Sequence, residues 1–331
     1  SLHLFYNPDF VAHFSSRGPV SPFYIKPDIV APGAYINTTQ SNGGYNFTSG
    51  TSFAAPHVSG AAALLLEKYP NIHSHEIKSL LLTTTEPVSD AYGQEFSLND
   101  SGSGRLNIAK AFQAKLIITP PNFVINLSSD NPTAQKQLEL KLLEGTLENF
   151  QVRFEGPEFI QFTHSLEENN LLIKIKILGQ NYGEHEGKII VNHDEIKYVI
   201  PFLIHYTEGS ISVNQKDDRL NFTIYHPEQW NFAKISVINS EDGKIETITA
   251  TPERDASIRI NKNAEYWIDA KIKVDGKTFD AYNTIEVNSI NEDQDEFELL
   301  DIPEKQIAIV SGIAIIVGIV GVTAIRKTSV D

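Results

Sequence analysis

The residues 46–60, NFTSGTSFAAPHVSG, combine a small-residue turn with a serine and a histidine. A serine hydroxyl is a poor nucleophile at neutral pH. It needs a general base to take its proton and donors to hold the oxyanion formed when it attacks a carbonyl. Ser52 stands where the turn runs into a helix. Its backbone N–H therefore belongs to the first-turn donors that have no partner inside the helix, near the positive end of the helix dipole. That is half of an oxyanion hole. Gly50 permits a close approach, Ala54 and Ala55 keep bulk away, and Pro56 is expected in the first turn, where its missing N–H costs little. A bare Gly-Thr-Ser tripeptide is more often a plain capping serine at a helix start. His57 follows five residues later, a spacing that turns it away from Ser52 on a helix. The other histidines offer no better base: His3 and His13 stand alone, and His164, His185, His193 and His205 are scattered without metal-ligand spacing. Asn291, Asp293 and Asp295 have the odd-position spacing of a calcium loop, but Glu296 replaces the required glycine and Ile302 the bidentate glutamate. They are read as solvated charges, and no metal or cofactor is expected.

The elements around Ser52 follow from pattern. After the turn, residues 58–66 are apolar on nearly every face, which predicts a helix buried inside a layered domain. Beyond Pro70, Ser74 can cap a second helix with Ile77, Leu80 and Leu81 on one face and Glu76 and Lys78 toward water, which predicts a surface helix. Between about residues 116 and 290 short alternating runs such as LLIKIKIL, GKIIVNH and YWIDAKIKV alternate with turns, and Asp242-Gly243 and Asp275-Gly276 are hairpin chemistry. The length fits two β-sandwich modules, over 115–206 and 207–290, the first similar to immunoglobulin-like or fibronectin-like modules. Residues 291–305 are acidic and suit a stalk.

Composition narrows the functions. The chain has 331 residues, no cysteine, no methionine and a formal net charge of -15. Disulfides, thiolate sites and cysteine catalysis are excluded, and no basic stretch could track a phosphate backbone, so no nucleic-acid partner is expected. Starting at Ser1 without a methionine, the chain is read as a fragment or a processed product. Residues 306–325, QIAIVSGIAIIVGIVGVTAI, are about 20 uncharged residues, enough for a transmembrane helix. Arg326 and Lys327 then place the tail, 326–331, in the cytoplasm and the remainder outside the cell, as a single-pass membrane protein. The N-x-[S/T] triplets at Asn37, Asn46, Asn99, Asn126 and Asn221 would permit glycosylation there.

Residues 50–60, GTSFAAPHVSG, resemble the serine signature of the subtilisin-like serine proteases. FSSRGP at 14–19, KPDIVAPG at 26–33 and SGSGRLNIAKAF at 101–112 resemble, in order, segments that flank this serine in the family. The resemblance covers about residues 11–114. It implies a doubly wound α/β fold, of which residues 1–114 would be the C-terminal part, and makes Ser52 the nucleophile by position. It also implies a triad aspartate, a triad histidine and an oxyanion asparagine, all upstream of the serine. The family's Asp-[Ser/Thr]-Gly turn and His-Gly-Thr-His segment occur nowhere in this chain. His57 is then a structural residue of the signature, and Asp28 belongs to the KPDIVAPG segment and not to the triad. The expectation is the C-terminal portion of a membrane-anchored, extracellular serine endopeptidase acting on a peptide or protein substrate and needing no cofactor, inactive in the form given. The alternative is a non-catalytic surface protein, a protease remnant whose sandwiches serve as a stalk or adhesion module.

Overall fold

The computed structural model describes residues 10–147, 150–260 and 262–288. The first hundred of them are mainly turns and helices. A short antiparallel hairpin, β1 (Ile36–Thr39) and β2 (Tyr45–Thr48), leads into α1 (Thr51–Lys68). Then follow α2 (Ser74–Thr83), α3 (Leu98–Ser101) and α4 (Ile108–Gln113). The alanine-rich run of α1 has high helix propensity, and Pro70 stops it by restricting the backbone of Tyr69.

The two long helices exchange the roles read from their patterns. The continuously apolar α1 buries only Ala61 and Leu65, while Leu64 and Leu66 are 43% and 44% exposed. By contrast, α2 is buried from Glu76 through Thr83 apart from Lys78. The reason lies in what covers each. Against α2 stand α1, α4 and two strands of the following sandwich, whereas the main element contacts of α1 are with the two helices. The expectation of a doubly wound parallel sheet over residues 1–114 is corrected accordingly. Among the described residues that stretch holds the β1–β2 hairpin and isolated bridges, one of them the parallel pair Val30 and Arg105. An α/β region without its sheet leaves one side of α1 open.

The strands then come in succession: β3 (Leu116–Thr119), β4 (Phe123–Ser128), β5 (Thr133–Leu142), β6 (Gln151–Glu155), β7 (Ile160–Glu167), β8 (Asn170–Ile177), β9 (Gly183–His193) and β10 (Ile196–Thr207). They form two sheets, in the orders β3-β5-β8-β7 and β4-β10-β9-β6. All pairings are antiparallel except β4 with β10. Alternation does the work: in β8, Leu171, Ile173, Ile175 and Ile177 point inward and the intervening lysines outward. The inner faces share one core with Leu65 of α1, Leu80 of α2 and Ala111 of α4, so helices and first sandwich fold around the same apolar mass. Tyr198 lies in that core, and its hydroxyl accepts hydrogen bonds from the N–H groups of Lys115 and Leu116 at 2.9 and 3.1 Å, satisfying a polar tip that burial would otherwise penalise.

The second sandwich comprises β11 (Ser210–Lys216), β12 (Arg219–Tyr225), β13 (Phe232–Asn239), β14 (Ile245–Ala250), β15 (Ala256–Arg259), β16 (Ala264–Val274) and β17 (Lys277–Val287). Its sheets run β11-β12-β15 and β14-β13-β16-β17, all antiparallel, around a core of its own. β10 ends at Thr207 and β11 begins at Ser210. A small third core, Ile25 and Leu98 against Leu203 and Val124, docks the N-terminal region on the outer face of β4 and β10.

Among the described residues no helix is long and apolar enough to cross a membrane. The acidic stretch 291–305, the span read at 306–325 and the tail 326–331 lie outside the described residues. The membrane partner, the transmembrane helix and the single-pass extracellular topology are corrected on this account: no described element carries them.

Candidate functional site around Ser52

Ser52 is the second residue of α1, and Gly50 caps the helix in extended conformation. The cap is held by a hydrogen bond from Gly50 N–H to Gly33 O, 2.8 Å, which brings the end of KPDIVAPG onto the helix start. The tight glycine is Gly33: a Cβ there would lie 2.9 Å from Gly50 O and 3.3 Å from the Ala54 methyl group. Gly50 itself would meet nothing nearer than Phe53 at 3.6 Å. Pro56, expected in the first turn, stands one turn further inside the helix, so it cannot donate to the Ser52 carbonyl four residues back.

The Ser52 side chain is exposed and has no hydrogen-bond partner among the described residues. His57 is engaged elsewhere, its Nδ1 lying 2.8 Å from Phe53 O one turn back. At 100° per residue it is rotated by roughly 140° from Ser52. Among the described residues no base is brought to the serine. What the structure does bring together is the set of landmarks. Arg105 and Glu86 exchange two backbone hydrogen bonds, 2.7 and 2.9 Å, and Val30 N–H donates to Gly104 O at 3.0 Å. Arg17 pairs with Asp100 at 3.0 Å, and Gly18 N–H donates to Asn99 O. Segments 14–19, 26–33 and 99–106 are thus bound together.

Asp28 is a structural member of that assembly. Its carboxylate faces Lys26 and also Lys78 of α2, the latter at 2.7 Å; burial would raise its pKa, but the two ammonium groups hold it below the ordinary aspartate value. Beside Ser52 an apolar cavity of about 490 Å³ runs under Thr51, Ala54, Ala55 and Val58 of α1 and against Val30 and Ala31; Ser52 is not part of its wall. Among the described residues no group of three or more acidic, histidine or cysteine side chains is placed to hold a metal. Pattern reading missed the ion pair of buried Glu76 with the exposed Lys141. Nothing local marks it, since the partners are 65 residues apart.

Comparison with known proteins agrees with the landmarks and limits their reach. Residues 6–108 match the Subtilase family. The chain is 36% identical over 120 residues to the minor extracellular protease Vpr of Bacillus subtilis (strain 168), covering 34% of this chain and 15% of that protein. It is 35% identical over 144 residues to subtilisin-like protease SBT1.6 of Arabidopsis thaliana, covering 36% and 19%. The chain therefore spans less than a fifth of the length of these relatives. Among solved structures, a two-domain fibronectin type-III segment of chicken tenascin aligns with 46% of this chain and 92% of its own at 10% identity, with a TM-score of 0.22 that carries no weight for fold or function. The match lies in the N-terminal third and stops before the sandwiches, so the reading of the chain as a portion of a membrane-anchored extracellular protease is corrected to a subtilase relationship of that third, with no membrane-spanning helix among the described residues. What the comparisons establish is a subtilase-family relationship of residues 6–108.

Proposed function

We propose that this polypeptide is by itself a non-catalytic β-sandwich protein that carries the serine-bearing segment of a subtilase-like fold. The observation behind this reading is the isolation of Ser52. Its hydroxyl is exposed, no described base reaches it, and the nearest histidine in sequence is bound to the Phe53 carbonyl. In a subtilisin, removing the triad serine or histidine costs roughly a million-fold in turnover, so a serine of this kind without its base is in effect silent. Ser52 retains the placement of a nucleophile, at the exposed start of α1 with a first-turn N–H beside it. Serine endopeptidase chemistry then belongs to an assembly in which a histidine and an aspartate are supplied to this helix end. Residues outside the described chain would provide the base and its orienting acid, and a peptide carbonyl would be the substrate group.

The test is paired. The polypeptide and its Ser52→Ala variant are incubated with a fluorophosphonate probe and with a chromogenic peptide panel. Neither is expected to be labelled or to turn over substrate above the buffer rate. Turnover or labelling that disappears in Ser52→Ala would overturn the non-catalytic reading and reveal a base on this chain.

A further inference from the structure

On one side of the first sandwich the two sheets end on β7 and β6. Unpaired edges invite a further strand, and proteins commonly blunt them with lysine, proline, a bulge or a very short strand. β6 is blunted: it has five residues, Arg153 and Glu155 pair on it at 2.6 Å, and Gly156-Pro157 ends it. β7 is not. It runs for eight residues, IQFTHSLE, with neither lysine nor proline and no acidic residue before Glu167. Its second half, residues 163–167, is exposed on both faces of the sheet, Leu166 by 42%.

The ladder with β8 decides which backbone groups of β7 are free. Leu178 N–H donates to Phe159 O at 2.9 Å, and the antiparallel register continues from there with Ile160 opposite Ile177. Bonded residues alternate in such a ladder, so Gln161, Thr163, Ser165 and Glu167 bond to β8, while the N–H and C=O groups of Phe162, His164 and Leu166 point to the open side. No described strand takes them. The outer face of the same sheet carries a split charge. Lys174 and Lys176 stand toward one end of β8, and Glu139 of β5 and Glu167 of β7 flank Asn170 at its other end. All four side chains are exposed, and none has an ion-pair partner among the described residues.

We propose that β7 is the contact of a symmetric dimer, in which it pairs antiparallel with β7 of a second copy about a two-fold axis at His164. That axis sets Phe162 opposite Leu166 of the second copy, joins free N–H to free C=O along the strand, and continues the sheet from one molecule into the next. It also matches the charges. Gln161, beside Lys176 on β8, comes to face Glu167 of the second copy. Lys176 then lies two strand spacings, about 10 Å of backbone, from that glutamate, within the combined reach of the two side chains. A second copy brings this complement in register because the lysine end and the glutamate end belong to the same sheet; parallel pairing of the two strands would set lysine end against lysine end. The backbone bonds and the Phe162–Leu166 contacts hold the strands, while the exposed ion pairs, weak one by one, choose the orientation. The contact is independent of Ser52 and of any proteolytic role.

The experiment follows the whole chain by sedimentation velocity. The parent is expected to pass from monomer to dimer across micromolar concentrations and to shift toward monomer as salt is raised. Lys174→Glu/Lys176→Glu and Glu139→Lys/Glu167→Lys each set like charges across the seam, and each is expected to dimerise roughly tenfold or more weakly than the parent. Mixed in equal amounts, the two variants are expected to form a heterodimer of parental affinity, since each copy then meets the opposite charge at both ends. The chain has no cysteine, so His164→Cys supplies a single thiol at the axis. A short bismaleimide is expected to couple two copies through it and to leave Thr223→Cys, exposed on β12, uncoupled. A parent that stays monomeric overturns the proposal, and so does a dimer that the charge variants leave unchanged or a mixture that does not associate. Coupling at residue 164 no better than at 223 also overturns it, by placing the contact elsewhere, such as on the open side of α1.

Discussion

Ser52 keeps its helix-start position in the structure while no group that would make it reactive stands beside it among the described residues, and the backbone near it shows how much of the local geometry survives. Gly102, in the SGSGRLN stretch, has φ 58°, and a Cβ on it would lie 2.2 Å from Pro27 O and 2.6 Å from Asp28 O. The glycine is what allows 101–106 to lie against 26–33. Gly102→Ala is therefore expected to be strongly destabilising. Backbone strain alone accounts for about 1–3 kcal/mol, and the carbonyl overlap adds to it. Gly43→Ala, at φ 80° with nothing within 4 Å, meets only the backbone term. Urea melts of the two variants separate the contributions, and equal losses would show that the contact with Pro27 and Asp28 is not tight in solution. The helix-start placement of Ser52 was legible from sequence because turn chemistry is local, a few consecutive small residues fixing which backbone can approach which, although the close approach read at Gly50 is made at Gly33. The neighbouring of Asn126 on β4 with His205 on β10 was not legible, because the two stand on separate strands far apart in the chain. Asn126 drew notice as a glycosylation triplet and His205 as one of several scattered histidines.

At the scale of elements, strands were read more securely than helices. A period of two identifies the inward face of β8 or β16 whatever lies opposite, since either sheet face can be covered only by another layer. A helix that is apolar all round says that it is to be buried, yet not by what. The opposite outcomes for α1 and α2 follow from the partners they find. The buried end of α2 also carries a charge. Glu76 is 5% exposed, its carboxylate receives Lys141 from β5, and it accepts a hydrogen bond from His73 N–H at 2.9 Å. Burial would raise its pKa, but Lys141 and the His73 N–H outweigh that and hold it below its ordinary value of 4.5. The sign follows from linkage: the folded state binds the proton less readily than the unfolded chain. The stabilisation is thus present above 4.5 and is lost as pH falls through the lowered folded value. Glu76→Gln is expected to cost about 1.5–3 kcal/mol at pH 7, the range for a hydrogen bond to a charged group. That difference from the parent should shrink steadily as denaturation is repeated at lower pH. A pH-independent difference would mean that Lys141 does not pair with Glu76 in solution.

At the scale of the whole molecule the subtilase-like region and the first sandwich depend on each other. Ile77, Leu80 and Leu81 of α2 lie in the same core as Leu116 and Ile118 of β3 and Tyr198 and Ile200 of β10. At about 1.5–3 kcal/mol for each fully buried side chain, those three α2 residues alone stand for roughly 5–9 kcal/mol of burial. That is comparable with the whole stability of a typical domain, about 5–15 kcal/mol. Residues 1–114 produced without the sandwiches would expose this face of α2, in addition to Leu64 and Leu66 of α1, which are already open in the full chain. Two adjacent apolar surfaces on a segment with no sheet to cover either are expected to drive association. The second sandwich has a core made only of its own strands, so residues 207–288 are expected to fold alone. Size-exclusion chromatography and thermal melts of the two pieces give the comparison. The expected result is aggregation or a broad, non-cooperative transition for 1–114, and a soluble monomer with a cooperative transition for 207–288. A monomeric, cooperatively melting 1–114 would show that the helices carry a core of their own and that the shared apolar mass is a docked interface between two independent units.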